Sequence, residues 1–172
     1  MVKHATFLKW WLQIASTSVG VYFAYKFGVF HEIMEKDESM LSFLIIAGFV
    51  LMSLWCGVKT FIISRSLNLN NKIPTESELT VIKQEDYGWF ACVKFEQIGY
   101  IGTLVGFIIM LAGFSTVDPS QMQSLQALIV ALASGMATAL YTTLAGLVCS
   151  HLLSYQYQNL ANAIKSLPYE DQ

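Results

Sequence analysis

Four stretches of this chain approach what a lipid bilayer asks of a helix: Phe7 to Phe30, Leu41 to Ile63, Ile98 to Phe114 and Leu125 to Leu153. A helix needs about 20 mostly apolar residues to cross roughly 30 Å of hydrocarbon, and in lipid each span must satisfy its own backbone hydrogen bonds. The expected fold is therefore an all-α membrane protein with four transmembrane helices. Only 13% of the 172 residues are charged and 55% are hydrophobic, against about 25% charged in an ordinary soluble domain. The third stretch is short, but Trp89 to Phe95 precede it with further apolar residues, so its helix is expected to begin earlier. The fourth exceeds a bilayer's need, with polar first turns from Pro119 to about Gln126. Asp118-Pro119, with Gln121 three positions after the aspartate, forms a helix start. Beyond Leu153, Tyr155, Tyr157, Gln158 and Asn159 continue that helix until Pro168 stops it.

The lysines set the direction, because loops retained in the cytoplasm carry the excess of Lys and Arg. With the N-terminus inside, Lys3, Lys9, Lys59, Arg65, Lys72, Lys83, Lys94 and Lys165 lie inside or near the inner interface, and only Lys26 and Lys36 fall outside. The outer loop His31 to Met40 is acidic through Glu32, Glu35, Asp37 and Glu38. Both termini are read as cytoplasmic, with Trp10, Trp11, Trp55 and Trp89 at or toward the inner interface. No cleavable signal peptide is expected, since Lys9 and Lys26 flank a long first stretch with no small-residue cleavage site after it. The organisation is a transmembrane hairpin over 1–63, a short cytoplasmic segment over 64–97 and a helical core with a short tail over 98–172. In the middle segment, Thr75 and Glu78 after Pro74 form a capping box for a short helix.

Several function classes fall away. The scattered basic residues and net charge of -2 do not make the basic stripe that binds phosphate backbones, so no nucleic-acid partner is expected. Cys56, Cys92 and Cys149 lack metal-ligand spacing and read as apolar fillers with free thiols. His31, Glu32 and Glu35 lack the second histidine of a zinc-protease helix, while His4 and His151 stand alone near the inner interface. No nucleophile elbow or phosphate cradle is present. The chain reads as a non-enzyme with neither metal nor cofactor.

The third and fourth stretches carry the functional signal. Gly102, Gly106 and Gly113 recur at helical spacing with Met110 between them, and Thr103 lies beside Gly102. In the fourth, Gly135, Ala139, Thr142, Thr143, Gly146 and Ser150 fall within an arc of about 100° at 3.6 residues per turn. Small faces let helix backbones approach closely in lipid, and their hydroxyls can bond across to a neighbour. Such faces can simply pack the two helices together. The apolar parts of both stretches contain no Asp, Glu, Lys, Arg or His, and a threonine cannot hold a charge at accessible pH. A titratable group at mid-membrane would have to come from another chain.

Gly102-Thr103-Leu104-Val105-Gly106, after Tyr100-Ile101, resembles the GTxxG core of the pore-lining helix in TolQ and ExbB. The run from Gly135 to Gly146, GMATALYTTLAG, resembles the GMAxALxTTLxG run of MotA-type proteins, and Asp118-Pro119-Ser120 sits where many MotA sequences carry a similar tripeptide. The resemblance covers about Ile98 to Leu153. It implies a proton-channel subunit of the MotA/TolQ/ExbB family, in the bacterial inner membrane, with the last two helices forming the inner wall of a homopentamer. Five copies would surround two copies of a MotB/TolR/ExbD-like single-span partner, and H⁺ (or Na⁺) crossing on a partner aspartate would drive rotation or mechanical work. By motif match, Thr103 and Thr143 correspond to pore-facing threonines. Thr142 joins them as an expected pathway-lining residue, and Gly102, Gly106, Met110, Gly135, Ala139 and Gly146 are expected to pack the partner helix.

The chain departs from the family's branches. The large rotor-engaging cytoplasmic region of MotA is reduced to about thirty residues, the usual proline at the inner end of the third span is missing around Gln97, Ile98 and Gly99, and four spans are closer to MotA than to TolQ or ExbB. A non-conducting oligomeric scaffold is the main alternative, and a self-sufficient channel for a small neutral solute is a third.

Overall fold

The computed structural model describes residues 5–37, 39–68, 86–114 and 122–165, and these form five helices. They are α1 (Ala5–Lys26), α2 (Val29–Lys36), α3 (Leu41–Asn68), α4 (Asp86–Phe114) and α5 (Met122–Lys165). Three helices contain segments long and apolar enough to cross a membrane: Leu41–Ser64, Tyr87–Gly113 and Leu125–Lys165. Their most apolar windows are only 22% buried within the chain, so most of each surface faces outward, as apolar side chains can when the surroundings are lipid. The expected capping box at Thr75 and Glu78, the Asp118-Pro119 helix start, His4 and the Pro168 stop lie outside the described residues.

The first expected span needs correction. A single helix from Phe7 to Phe30 does not form. α1 ends at Lys26, Gly28 adopts a left-handed conformation with φ 73°, and α2 starts at Val29, inside the expected span, and runs on into the expected outer loop to Lys36. Such a φ suits glycine, which has no Cβ to clash. The turn closes with the Phe27 amide donating to the Phe23 carbonyl at 2.9 Å and the Gly28 amide donating to Tyr25 at 3.0 Å. With 22 residues α1 has the length of a span, but Lys9, Gln13, Ser16, Thr17 and Ser18 dilute its apolarity, and it is not among the three spanning candidates.

α1 is nevertheless anchored to the bundle. Trp10 lies over Gly57 of α3, where a Cβ would overlap the indole, and Gln13 Nε2 donates to the Leu152 carbonyl of α5 at 3.2 Å. Lys59 is buried one turn beyond Trp55, with its ammonium 5.9 Å from that ring. Trp10, Trp55 and Lys59 thus gather around one level in the second half of α3. After α2, Asp37 starts α3. Its Oδ1 accepts from the Ser39 amide at 3.1 Å and hydroxyl at 2.6 Å, while Oδ2 accepts from the Ser42 amide at 3.1 Å.

The buried core lies mainly where the end of α3, the start of α4 and the end of α5 converge. It includes Cys56, Ile63, Cys92, Phe95, Leu153, Tyr157 and Leu160. α5 has 44 residues, about 66 Å at 1.5 Å per residue, roughly twice the hydrocarbon thickness. Its excess runs beside the early start of α4, where Gly88 packs against the Tyr157 ring. Both features match the expectations that the third helix begins before Ile98 and the fourth continues past Leu153.

Candidate functional site

α4 and α5 form the closest helix pair in the chain, and glycine sets the approach. A Cβ on Gly106 would lie 2.5 Å from the Gly135 carbonyl oxygen and 2.7 Å from the Ala139 methyl; one on Gly135 would lie 2.6 Å from the Gly106 carbonyl. One turn further along α4, Gly102 accommodates the Thr142 side chain. Gly99 and Gly146 face each other nearby, and a Cβ on Gly146 would meet the Phe95 carbonyl at 2.7 Å. Toward the other end, Gly113 receives Ala131, with 2.7 Å left for an added Cβ. The two small-residue faces therefore meet inside one chain, the close packing that such faces permit in lipid.

This contact places the expected partner-packing residues Gly102, Gly106, Gly135, Ala139 and Gly146 on the α4–α5 seam, all buried. Met110 is half-buried there, with its Cβ against the site of the missing Gly135 side chain. Thr142 is fully buried: its hydroxyl donates to the Thr138 carbonyl at 2.8 Å and its side chain fills the space left by Gly102.

Thr103 and Thr143 are different. Both are half-buried at one edge of the seam, and their hydroxyls hydrogen-bond to each other. Each also has a backbone acceptor within reach in its own helix, Gly99 O at 3.2 Å from Thr103 Oγ1 and Ala139 O at 2.8 Å from Thr143 Oγ1; with one proton each, one hydroxyl donates to its partner while the other donates to backbone. Thr143 also reaches Gly99 O at 3.4 Å. Gly99 was not singled out as functional, yet its carbonyl serves both hydroxyls and its missing side chain admits α5. Its position four residues before Thr103 was the available sequence signal, since a helical threonine commonly returns its hydroxyl to that carbonyl.

From residue 98 to 114 and from 122 to 150 no Asp, Glu, Lys, Arg or His occurs. The pair can donate hydrogen bonds, accept them and order water, but it cannot store a proton as a charge.

The described residues thus define an all-helical chain with three helices long and apolar enough to cross a membrane, the last two joined by a glycine-tight, hydroxyl-edged seam. The particular resemblance follows: residues 96–170 match the model of the MotA/TolQ/ExbB proton channel family. The match covers all of α5 and most of α4, including both threonines. No curated protein and no solved structure matches the chain.

Proposed function

We propose that this chain is the proton-channel subunit of an ion-motive-force-driven motor or energy-transducing complex, working around a partner transmembrane helix that carries the protonatable aspartate. The observation that carries this reading is the Thr103–Thr143 pair, a polar station at the edge of a seam whose apolar stretches, 98–114 and 122–150, contain no Asp, Glu, Lys, Arg or His. Copies arranged around a central axis, with this edge inward, would present a belt of hydroxyls to the partner's carboxylate. The belt would hydrate and orient the acid, and the charge would stay on the partner. The proposed assembly is a homopentamer around two single-span partners in a bacterial inner membrane, with α1 as a fourth, peripheral span and both termini cytoplasmic.

The buried glycines take an indirect part in this reading. They bring α4 and α5 close enough for the two hydroxyls to meet, and the smooth wall offered to the partner is the outer edge of the seam. Thr142 supports that edge from within.

A second reading has its own support. Because the small faces are already used between α4 and α5, they would serve equally in a non-conducting scaffold. Liposomes separate the two. Vesicles holding the co-purified complex should carry a proton current that vesicles with this chain alone lack; equal, negligible currents in both would favour the scaffold.

A further inference from the structure

The threonine pair needs somewhere to send a proton, and the seam's own chemistry points to one group. Glu96 lies seven residues before Thr103, two turns along α4 and so on nearly the same side of the helix, about 10 Å away along the axis. Tyr100 stands between them, and its hydroxyl donates to Glu96 Oε1 at 2.9 Å. Glu96 is half-buried, whereas Tyr100 is exposed beside it. Going from Thr103 toward the start of α4, Glu96 is the first ionisable carboxylate, because residues 97–102 contain none. The Phe95 carbonyl packs on Gly146, so Glu96 stands near the α5 level of Gly146 to Ser150, two turns from Thr143. Other ionisable side chains near this level are Lys94, which bonds Gln97 at 2.9 Å, the buried thiols of Cys92 on α4 and Cys149 on α5, and His151, exposed on α5; the stretch of α3 that meets Phe95 at Gly48 carries none between residues 41 and 55.

We infer that Glu96 is the proton acceptor of this pathway on the side of the membrane where α4 begins, with Tyr100 positioning its carboxylate. The inference rests on the proton-channel reading above. A proton leaves the partner's carboxylic acid, passes through water ordered by Thr103 and Thr143, and binds the Glu96 carboxylate, which becomes a neutral acid. Glu96 then releases the proton to the adjacent aqueous phase and recovers its charge. No electron moves, and the partner acid is left as a carboxylate ready to be protonated again from the other side. A carboxylate serves this relay because it can accept a proton and, once protonated, donate it again.

The test is proton flux through the intact, co-purified complex in liposomes, measured across a pH series. Glu96→Gln keeps the shape of the side chain and its capacity to accept from Tyr100 but removes the titration; flux should fall about a hundredfold while the complex assembles normally. Glu96→Asp should restore a substantial part of it, and Tyr100→Phe should move the pH at which flux is half-maximal. Wild-type flux with a wild-type pH profile in Glu96→Gln would overturn the inference. So would equal losses in Glu96→Gln and Glu96→Asp, which would mark a packing role. If Glu96→Gln stays active while His151→Gln abolishes flux, the acceptor is on α5 instead. A wild-type complex that carries no protons would defeat the underlying channel reading and is distinguishable from each of these.

Discussion

Gly106 and Gly135 face each other across the α4–α5 seam so closely that a Cβ on either would stand 2.5 or 2.6 Å from the other's carbonyl oxygen. The obstacle is rigid helix backbone, so a larger residue cannot be relieved by a rotamer change. Gly106→Ala should cost about 1–3 kcal/mol of stability through overpacking, and Gly106→Leu should prevent assembly. Size-exclusion chromatography of the detergent-solubilised complex reads this directly. A fully assembled, fully active Gly106→Leu variant would show that the seam does not govern the architecture.

Asp37 ties the amides of Ser39 and Ser42 at the start of α3. Removing the carboxylate leaves those donors without the acceptor, so Asp37→Ala should destabilise this end of α3 by about 1 kcal/mol. Amide hydrogen exchange should accelerate at Ser39 and Ser42 and stay unchanged at the far end of the helix.

Trp10 rests on Gly57, and this contact with the Gln13–Leu152 hydrogen bond holds α1 to the bundle. Gly57→Val should displace the indole and loosen α1 while α4 and α5 remain packed. Engineered cysteine pairs between α1 and α3 should lose their crosslinking efficiency in this variant, whereas pairs across the α4–α5 seam keep theirs.

The Tyr157 phenol oxygen is buried with no hydrogen-bond partner among the described residues. An unsatisfied buried hydroxyl is unfavourable, so Tyr157→Phe should leave stability unchanged or raise it by about 1 kcal/mol. The thermal midpoint of the solubilised protein measures this, and a clear fall would reveal a partner for the hydroxyl within the assembly.

Much of this architecture is legible in the residues. Long apolar runs mark α3, α4 and α5, and the spacing of Gly102, Gly106, Gly135, Ala139 and Gly146 picks out the faces that meet. The break at Gly28 is not legible in this way: apolar residues continue through Phe30, and hydropathy carries no information about a positive φ. α2 was hidden for the opposite reason, since its acidic residues read as a solvated loop. At the candidate site, periodicity identifies a small face without saying what lies against it, so the same pattern fits a neighbouring helix of this chain or a foreign one. The structure pairs the glycines within the chain and leaves Thr103 and Thr143 at the edge. Gly99 escaped notice because its contribution is a backbone carbonyl, which every residue possesses.

The central claim is that the Thr103–Thr143 hydroxyl pair handles the proton. Thr143→Val keeps the β-branched shape and removes the hydroxyl, so the seam should survive while the polar station is lost. Proton flux through the intact complex, measured with Thr143→Val beside wild type, is the most direct test. The account predicts a normally assembled complex with flux and motor output largely abolished; unchanged flux and output would contradict it.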